Sequence, residues 1–406
     1  MMKVIRFSSK MMAKIYNRSA GSKKRLEHTV RKIIEDVRVN GDDALVRYSR
    51  KFDGVKLAPR HFVVTESETN AAYQNIDAKF VSTLKVVMNN INKFYRKQIK
   101  KSWKMKDENG VVLGEIFNPI ERVGVYVPAG TAPLVSTVYM SVLPAKIAGV
   151  KKVVLVTPPD KNGFINPYIL VVANLLKVDV IYKVGGAQAI SALAFGTKTI
   201  PKVDKIIGPG NAYVTEAKRQ VFGYVDIDML AGPSEVVIIA NQYANPAYVT
   251  ADIRAQAEHA MGIAVLITTS KSLVRLLKKE DINGYIINVK SLDEAANIAN
   301  AIAPEHLQII VKQPNKILKK IHNAGAVFIG HYSPVAVGDY VAGPSHILPT
   351  AGTAKFFSGL GISDFMKSTH VISYTKKALE EVKDYIEKIA TIEGLHQHLE
   401  SVKVRF

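Results

Sequence analysis

The chain has no cysteine among its 406 residues. That absence excludes a disulfide scaffold, a thiolate-ligated zinc or iron–sulfur site, and a thiol nucleophile. Long apolar runs are missing as well. The longest, from Tyr168 to Leu176, stops at Lys177, far short of the ~18 apolar residues a membrane-spanning helix needs. The opening stretch MMKVIRFSSKMMAKIY holds no continuous apolar segment, so no secretory signal is expected and the cytoplasm is the default compartment. There is no GxGxxG dinucleotide fingerprint, no zinc-finger spacing and no aromatic RNA-binding motif.

What is present forms a core. Hydrophobic residues make up 48% and charged residues 22%, which excludes a disordered chain. At roughly 150 residues per domain, the length suggests two or three domains. Lysine and arginine number 55 against 35 acidic residues, a net charge of +20. Such a surplus steers a protein toward phosphate polymers. The lysines are scattered, however, and the densest runs, Lys23-Lys24-Arg25 and Lys97 to Lys106, are short. A basic surface without a dedicated nucleic-acid site is expected, and no membrane partner.

Residues 1–20 read as a short basic lead. Residues 23–50 read as two helices, with Val30, Ile33, Ile34 and Val37 at helical spacing and a break at Asn40-Gly41. Residues 69–99 read as one long amphipathic helix carrying Ala72, Ile76, Phe80, Leu84, Val87, Ile91 and Phe94, followed by Trp103 in a basic connector. From about residue 121 the texture changes. Short β-branched runs at 122–127, 152–157, 179–184, 203–207, 235–240, 263–268, 285–289, 307–311 and 326–329 alternate with helical stretches such as 167–177, 212–221, 246–259 and 292–302. This alternation predicts an α/β fold with mainly parallel sheets. Nine strands fit two α/β units better than one sheet, with a boundary near Leu230 to Ser234. After Gly361 the pattern is helical, most clearly over 376–392.

Two glycine clusters, Gly185-Gly186-Ala187-Gln188 and Gly208-Pro209-Gly210-Asn211, each follow a strand and precede a helix. They are phosphate cradles, with glycine allowing close approach to backbone N–H groups, or simply tight turns. Gln256 and His259, three apart, share a helix face and are a metal-binding pair or an ordinary helix end. Glu305-His306 follows Pro304 and precedes an apolar strand, as an acid/base pair or as a solvated turn. Gly338-Asp339-Tyr340 and Gly343-Pro344-Ser345-His346 form a loop bearing an acid and a histidine, functional or merely superficial. Gly394 breaks the last helical stretch between Glu393 and the pair His396 and His398. Without cysteine, a transition metal must use His, Asp, Glu or Gln. Gln256, His259, Asp339 and one late histidine would suffice in number, but spacing alone does not bring them together.

Eight segments in order resemble the histidinol dehydrogenase family: ERVGVYVPAGTAPL (121–134), VGGAQAISALAFGT (184–197), KIIGPGNAYVTEAKRQV (205–221), LAGPSEV (230–236), QAEHA (256–260), APEHL (303–307), GDYVAGPSHILPT (338–350) and EGLHQH (393–398). The resemblance runs from about residue 25 to 398. It implies two Rossmann-like parallel-sheet units, one inserted in the other, with small N- and C-terminal dimerisation segments. The corresponding division is 1–20, then a main α/β domain of 21–124 plus 234–358, an inserted NAD-side domain of 125–233, and a helical tail of 359–406.

The resemblance also implies a four-electron oxidation of L-histidinol through L-histidinaldehyde to L-histidine, the last step of histidine biosynthesis, by a homodimer using two NAD and one Zn2+ per site. By position, Gln256, His259, Asp339 and His398 match the metal ligands, His398 coming from the other subunit. Glu305 and His306 match the acid/base pair. Ser234, His346 and Glu393 match substrate contacts, and Tyr126, Gln188 and Asn211 match contacts to NAD. The chain departs from the family pattern at Ala129-Gly130, at Ser345 before His346, and at Ala260-Met261-Gly262 after His259. With no cysteine, the aldehyde cannot be oxidised through a thiohemiacetal, so a second oxidation requires attack by water. A paralogous dehydrogenase for another polar primary alcohol and a non-catalytic basic binding protein are the two alternatives, and fold alone excludes neither.

Overall fold

Runs such as Glu235–Ala240 and Ile263–Thr268 are buried along their whole length. Continuous apolar strands of this kind suit a parallel sheet covered on both faces. The computed structural model describes residues 2–8, 10, 23–129, 133–259 and 261–406, and these fall into two compact units. The first comprises Met1–Gln98 and Ile120–Phe365, the second Ile99–Pro119 and Met366–Phe406.

The first unit holds two parallel sheets. One has five strands in the spatial order Val180–Tyr182, Lys152–Val156, Arg122–Tyr126, Lys205–Ile207, Asp226–Ile227. The other has six, in the order Lys3–Ile5, Gly284–Asn288, Ile263–Thr268, Glu235–Ala240, His306–Ile310, Ala326–Ile329. All nine strands expected from the β-branched runs are present. Three-residue Lys3–Ile5 pairs in parallel with Gly284–Asn288, so part of the basic lead is a sheet edge; residues 1, 9 and 11–20 of that lead lie outside the described residues. Among the described residues, no helix is long and apolar enough to cross a membrane.

The helix Lys23–Tyr48 buries Val30, Ile33, Ile34, Val37, Ala44 and Leu45 against the five-stranded sheet. The expected break at Asn40-Gly41 is a kink inside it, where Gly41 takes φ 50°. Sequence organisation had placed 21–124 with the six-stranded half, yet this helix shares its core with Tyr126, Val154, Tyr182 and Ile190. The single helix expected over 69–99 is two, Glu66–Tyr73 and Ala78–Tyr95. Asp77 accepts the Lys79 N–H at 2.8 Å and starts the second, while Thr65 and Glu68 form a capping box on the first.

The second unit corrects the expected all-helical tail. Met366–Ser373 is a strand pairing antiparallel with Val112–Pro119, which in turn pairs with Trp103–Lys106. The helices Lys376–Ile392 and His396–Lys403 follow. Residues 359–365 belong to the first unit, where Leu360, Ile362 and Phe365 are buried.

Two charge arrangements, one buried and one at the surface, fix the five-stranded sheet. Lys218 and Asp228 form an ion pair almost wholly removed from water, and both grip Gly208: Lys218 donates to its carbonyl and Asp228 accepts its N–H at 2.7 Å. Asp179 accepts the Val153 N–H at 2.8 Å and pairs with Lys146 at 2.9 Å. Burial opposes ionisation of Asp179, but the Val153 N–H and Lys146 outweigh it and hold the carboxyl below its usual value. A depressed carboxylate contributes stability that is present above the unfolded pKa of ~3.9 and is lost as pH falls through the folded value. Asp179→Asn should therefore destabilise the chain by ~1 kcal/mol at pH 7, with the difference from the unaltered protein shrinking below pH ~4. Urea midpoints across pH 3–8 check this; a pH-independent difference would refute it.

Candidate active site

In the six-stranded sheet, Glu235–Ala240 and His306–Ile310 are parallel neighbours, with His306 opposite Val236. The helix Leu292–Ile302 ends at Ala303 in the left-handed conformation, and Pro304 leads the chain into the strand. Glu305 and His306 therefore arrive at the amino edge of the sheet beside Ser234 and Glu235. Glu305 is 7% exposed and His306 4%, which excludes the solvated turn. Glu305 Oε2 accepts the Ser234 hydroxyl at 2.7 Å and the Glu235 N–H at 2.9 Å.

His306 Nδ1 lies 3.2 Å from the Glu235 carbonyl, which it can reach only as a donor. The same ring stands 3.5 Å from Glu305 and, through Nε2, 3.6 Å from Asp339 Oδ1. The latter is an electrostatic contact beyond hydrogen-bond length, so Nε2 is a buried nitrogen without a hydrogen-bond partner. Burial alone would lower the imidazole pKa, but the charges of Glu305 and Asp339 overcome it and raise the ring to about 9.

His346 sits next to this group. Its Nδ1 is 3.0 Å from the Asp339 carbonyl and its Nε2 3.4 Å from the Thr137 hydroxyl. Burial lowers its pKa, which keeps the ring neutral. His306, Asp339 and His346 together line a cavity of about 560 Å³ whose apolar walls include Phe94, Tyr95 and Phe328. Ser345 is buried in the wall of the same cavity, its N–H donating to the Tyr95 hydroxyl at 2.8 Å.

Gln256 and His259 occupy the carboxyl end of the helix Pro246–Ala257 and the turn after it. That turn returns to the same sheet edge: Gly262 N–H donates to the His259 carbonyl at 2.8 Å, and Ile263 N–H to the Ser234 carbonyl at 3.2 Å. Gln256 is buried with its amide nitrogen unpartnered, whereas His259 is exposed. Ala260 lies outside the described residues. Among the described residues no group of three or more His, Cys, Asp or Glu is set to hold a metal. Glu393, His396 and His398 stand exposed on the second unit. Glu393 caps Lys376–Ile392, and the histidines lie in the first turn of His396–Lys403.

The expected cofactor residues collect at the opposite kind of edge, the carboxyl ends of the five-stranded sheet. Tyr126 ends its strand, and its hydroxyl accepts the Gly186 N–H at 3.2 Å, at the start of Gly186–Phe195. Asn211 caps Ala212–Val221, accepting the Tyr213 and Val214 N–H groups. Gln188 is 1% exposed, with neither amide atom partnered. Gly208 takes φ +111° and lies so close to the Tyr126 carbonyl that a Cβ there would collide with it. Tyr126, Gln188 and Asn211 line a common cavity of about 530 Å³, together with Asp53 and Ala129. Gly130 lies outside the described residues. Asp53 was missed by motif reasoning, since a lone Asp-Gly reads only as a turn.

Comparison with known proteins shows the family. The sequence model of the histidinol dehydrogenase family matches residues 16–406. The chain is 48% identical to histidinol dehydrogenase of Clostridium acetobutylicum over 397 residues, covering 93% of this chain and 92% of that one. It is also 48% identical to histidinol dehydrogenase of Listeria innocua, covering 96% and 95%. The crystal structure of histidinol dehydrogenase from Elizabethkingia anophelis superimposes with a TM-score of 0.92 at 36% identity, covering 100% of this chain and 98% of that one.

The Ser234–Glu305 contact yields a direct test. A hydrogen bond to a buried carboxylate is worth ~1.5–3 kcal/mol. Ser234→Ala should lower the unfolding free energy by about that amount, measured in urea, and Ser234→Thr by clearly less. Equal stability of all three proteins would show that the hydroxyl does not support Glu305.

Proposed function

The chain belongs to the histidinol dehydrogenase family, and from that premise we propose that it oxidises L-histidinol to L-histidine through L-histidinaldehyde, with two NAD in succession and one zinc per site. The observation that carries this reading is the buried Glu305–His306 pair at a cavity edge, in a chain with no thiol to substitute for it.

The residues suit both groups. Gln256, His259, Asp339 and His398 offer only nitrogen and oxygen donors, a set zinc accepts. Gln256 is buried beside this edge and would bind through its amide oxygen, leaving the amide nitrogen, which has no hydrogen-bond partner, to face a ligand. The unpartnered Gln188 amide in the second cavity fits a cofactor contact in the same way. His398 and Glu393 would reach the site of a second copy of the chain, making a homodimer with shared sites. When bound, NAD supplies the hydride acceptor and zinc a fixed positive charge that orients an imidazole- and amine-bearing substrate.

His306 accepts the hydroxyl proton as the carbinol carbon gives up hydride, leaving the aldehyde. Committing Asp339 to a cation removes one of the two charges that raise His306, which moves the ring toward the neutral form a base needs. Glu305 takes a proton from water as the water oxygen bonds to the aldehyde carbon. The resulting hydrate gives up a second hydride and a proton, leaving the carboxylate. Ser234 and the Glu235 N–H keep Glu305 aimed throughout. His346 and Glu393 complete the substrate contacts, and Phe94 and Phe328 exclude water from the cavity wall.

With NAD in excess and zinc present, the unaltered protein should form close to two NADH per L-histidinol. Glu305→Gln should bring the yield toward one, with aldehyde trapped by a hydrazine. A yield of one from the unaltered protein would refute water attack, and no NADH from zinc-loaded protein would favour the paralogous dehydrogenase. For the metal, His398→Ala should lose bound zinc and activity, while His396→Ala keeps both; the reverse pattern would move the ligand to His396.

A further inference from the structure

Asp53 belongs to no motif of the family resemblance, yet it lines the cavity that holds Tyr126, Gln188 and Asn211. Its Oδ2 is buried and has no hydrogen-bond partner. A second cavity of about 540 Å³ shares the walls Ala129 and Pro158 and carries two more carboxylates, Glu68 and Asp160. Both are engaged: Glu68 by Lys183 and by its capping box, Asp160 by the N–H groups of Asn162 and Phe164. Asp53 is the carboxylate among these whose buried oxygen awaits a donor. A buried acceptor left unsatisfied is costly, and such a group is explained when a ligand supplies the donor.

The surroundings indicate which donor. Phe52 and Tyr213 line the same cavity; Phe52 is stacked on Tyr48 with Lys51 over its ring, while Tyr213, 47% exposed, presents aromatic surface on which a base can stack. Asp53 lines the same cavity as that ring, so a nucleoside bound there meets its carboxylate. We infer that Asp53 recognises the adenosine ribose of the cofactor, accepting a hydrogen bond from the 2′-hydroxyl, and so restricts the site to dinucleotides without a 2′-phosphate. The inference rests on the cofactor reading of this cavity. The physical basis is that of acidic residues in dinucleotide folds: a carboxylate welcomes a hydroxyl and repels a phosphate. Burial pushes the Asp53 carboxyl up to about 6, so at pH 8 it is ionised and the repulsion is present.

The test is equilibrium binding of NADH and NADPH to the zinc-loaded protein at pH 8, read by nucleotide fluorescence, alongside KM and kcat for NAD and NADP. The unaltered protein should prefer NADH by roughly ten-fold or more. Asp53→Asn and Asp53→Ser should abolish most of that preference, weakening NADH binding and raising KM for NAD far more than they change kcat. Asp53→Glu should keep the preference. Gln188→Ala should weaken both nucleotides to a similar extent. Unchanged preference in the neutral Asp53 variants, with Gln188→Ala still weakened, would overturn the role of Asp53 while leaving the cavity as the cofactor site. Unchanged binding in Gln188→Ala as well would overturn the cofactor reading and this inference together. Equal binding of NADH and NADPH by the unaltered chain would also overturn it.

Discussion

The register between Glu235–Ala240 and His306–Ile310 is the constraint on which the candidate site depends. With His306 opposite Val236, the Glu305 carboxylate meets the Ser234 hydroxyl and the Glu235 N–H, and the His306 ring meets the Glu235 carbonyl. Side chains alternate between sheet faces, so a slip of one residue would send His306 to the other face. The apolar faces prevent that slip. Val237, Ile239, Leu307 and Ile309 belong to one core, while Val236, Ile238 and Ile310 belong to the other. The hydrophobic packing of the sheet thus sets the geometry of a polar pair at its edge.

The two sheets of the first unit carry the two candidate sites at opposite ends, and the electrostatics of helices make sense of that placement. Helix amino ends, such as those at Gly186 and Asn211, carry partial positive charge, which suits an anionic ligand. The helix Pro246–Ala257 brings its carboxyl end, and with it Gln256 and His259, to the edge that holds Glu305 and His306. That end carries partial negative charge, which suits a cation.

Legibility in the sequence followed burial. Strands within the two parallel sheets are continuous apolar runs and stand out. Trp103–Lys106 is exposed throughout and Met366–Ser373 nearly so, so neither carries the run that marks a buried strand, and the second unit read as connector and helical tail. Over 66–95, the apolar positions keep helical spacing across the break, which hides the stop that Asp77 imposes through a local side-chain bond. The site was legible as residue types with open alternatives. What could not be read was convergence: Glu305 and Ser234 lie 71 positions apart and meet only because their strands pair. Asp53 left no signal, since its character comes from the cavity around it.

The Lys218–Asp228 pair gives the turn at Gly208 a distinctive response to heat. Charged groups lose hydration free energy as temperature rises, so the cost of keeping an ion pair out of water falls. Apolar burial gains no comparable advantage on warming. The turn beneath Tyr126 is thereby held by a contact that strengthens, relative to its surroundings, as the rest of the molecule approaches melting.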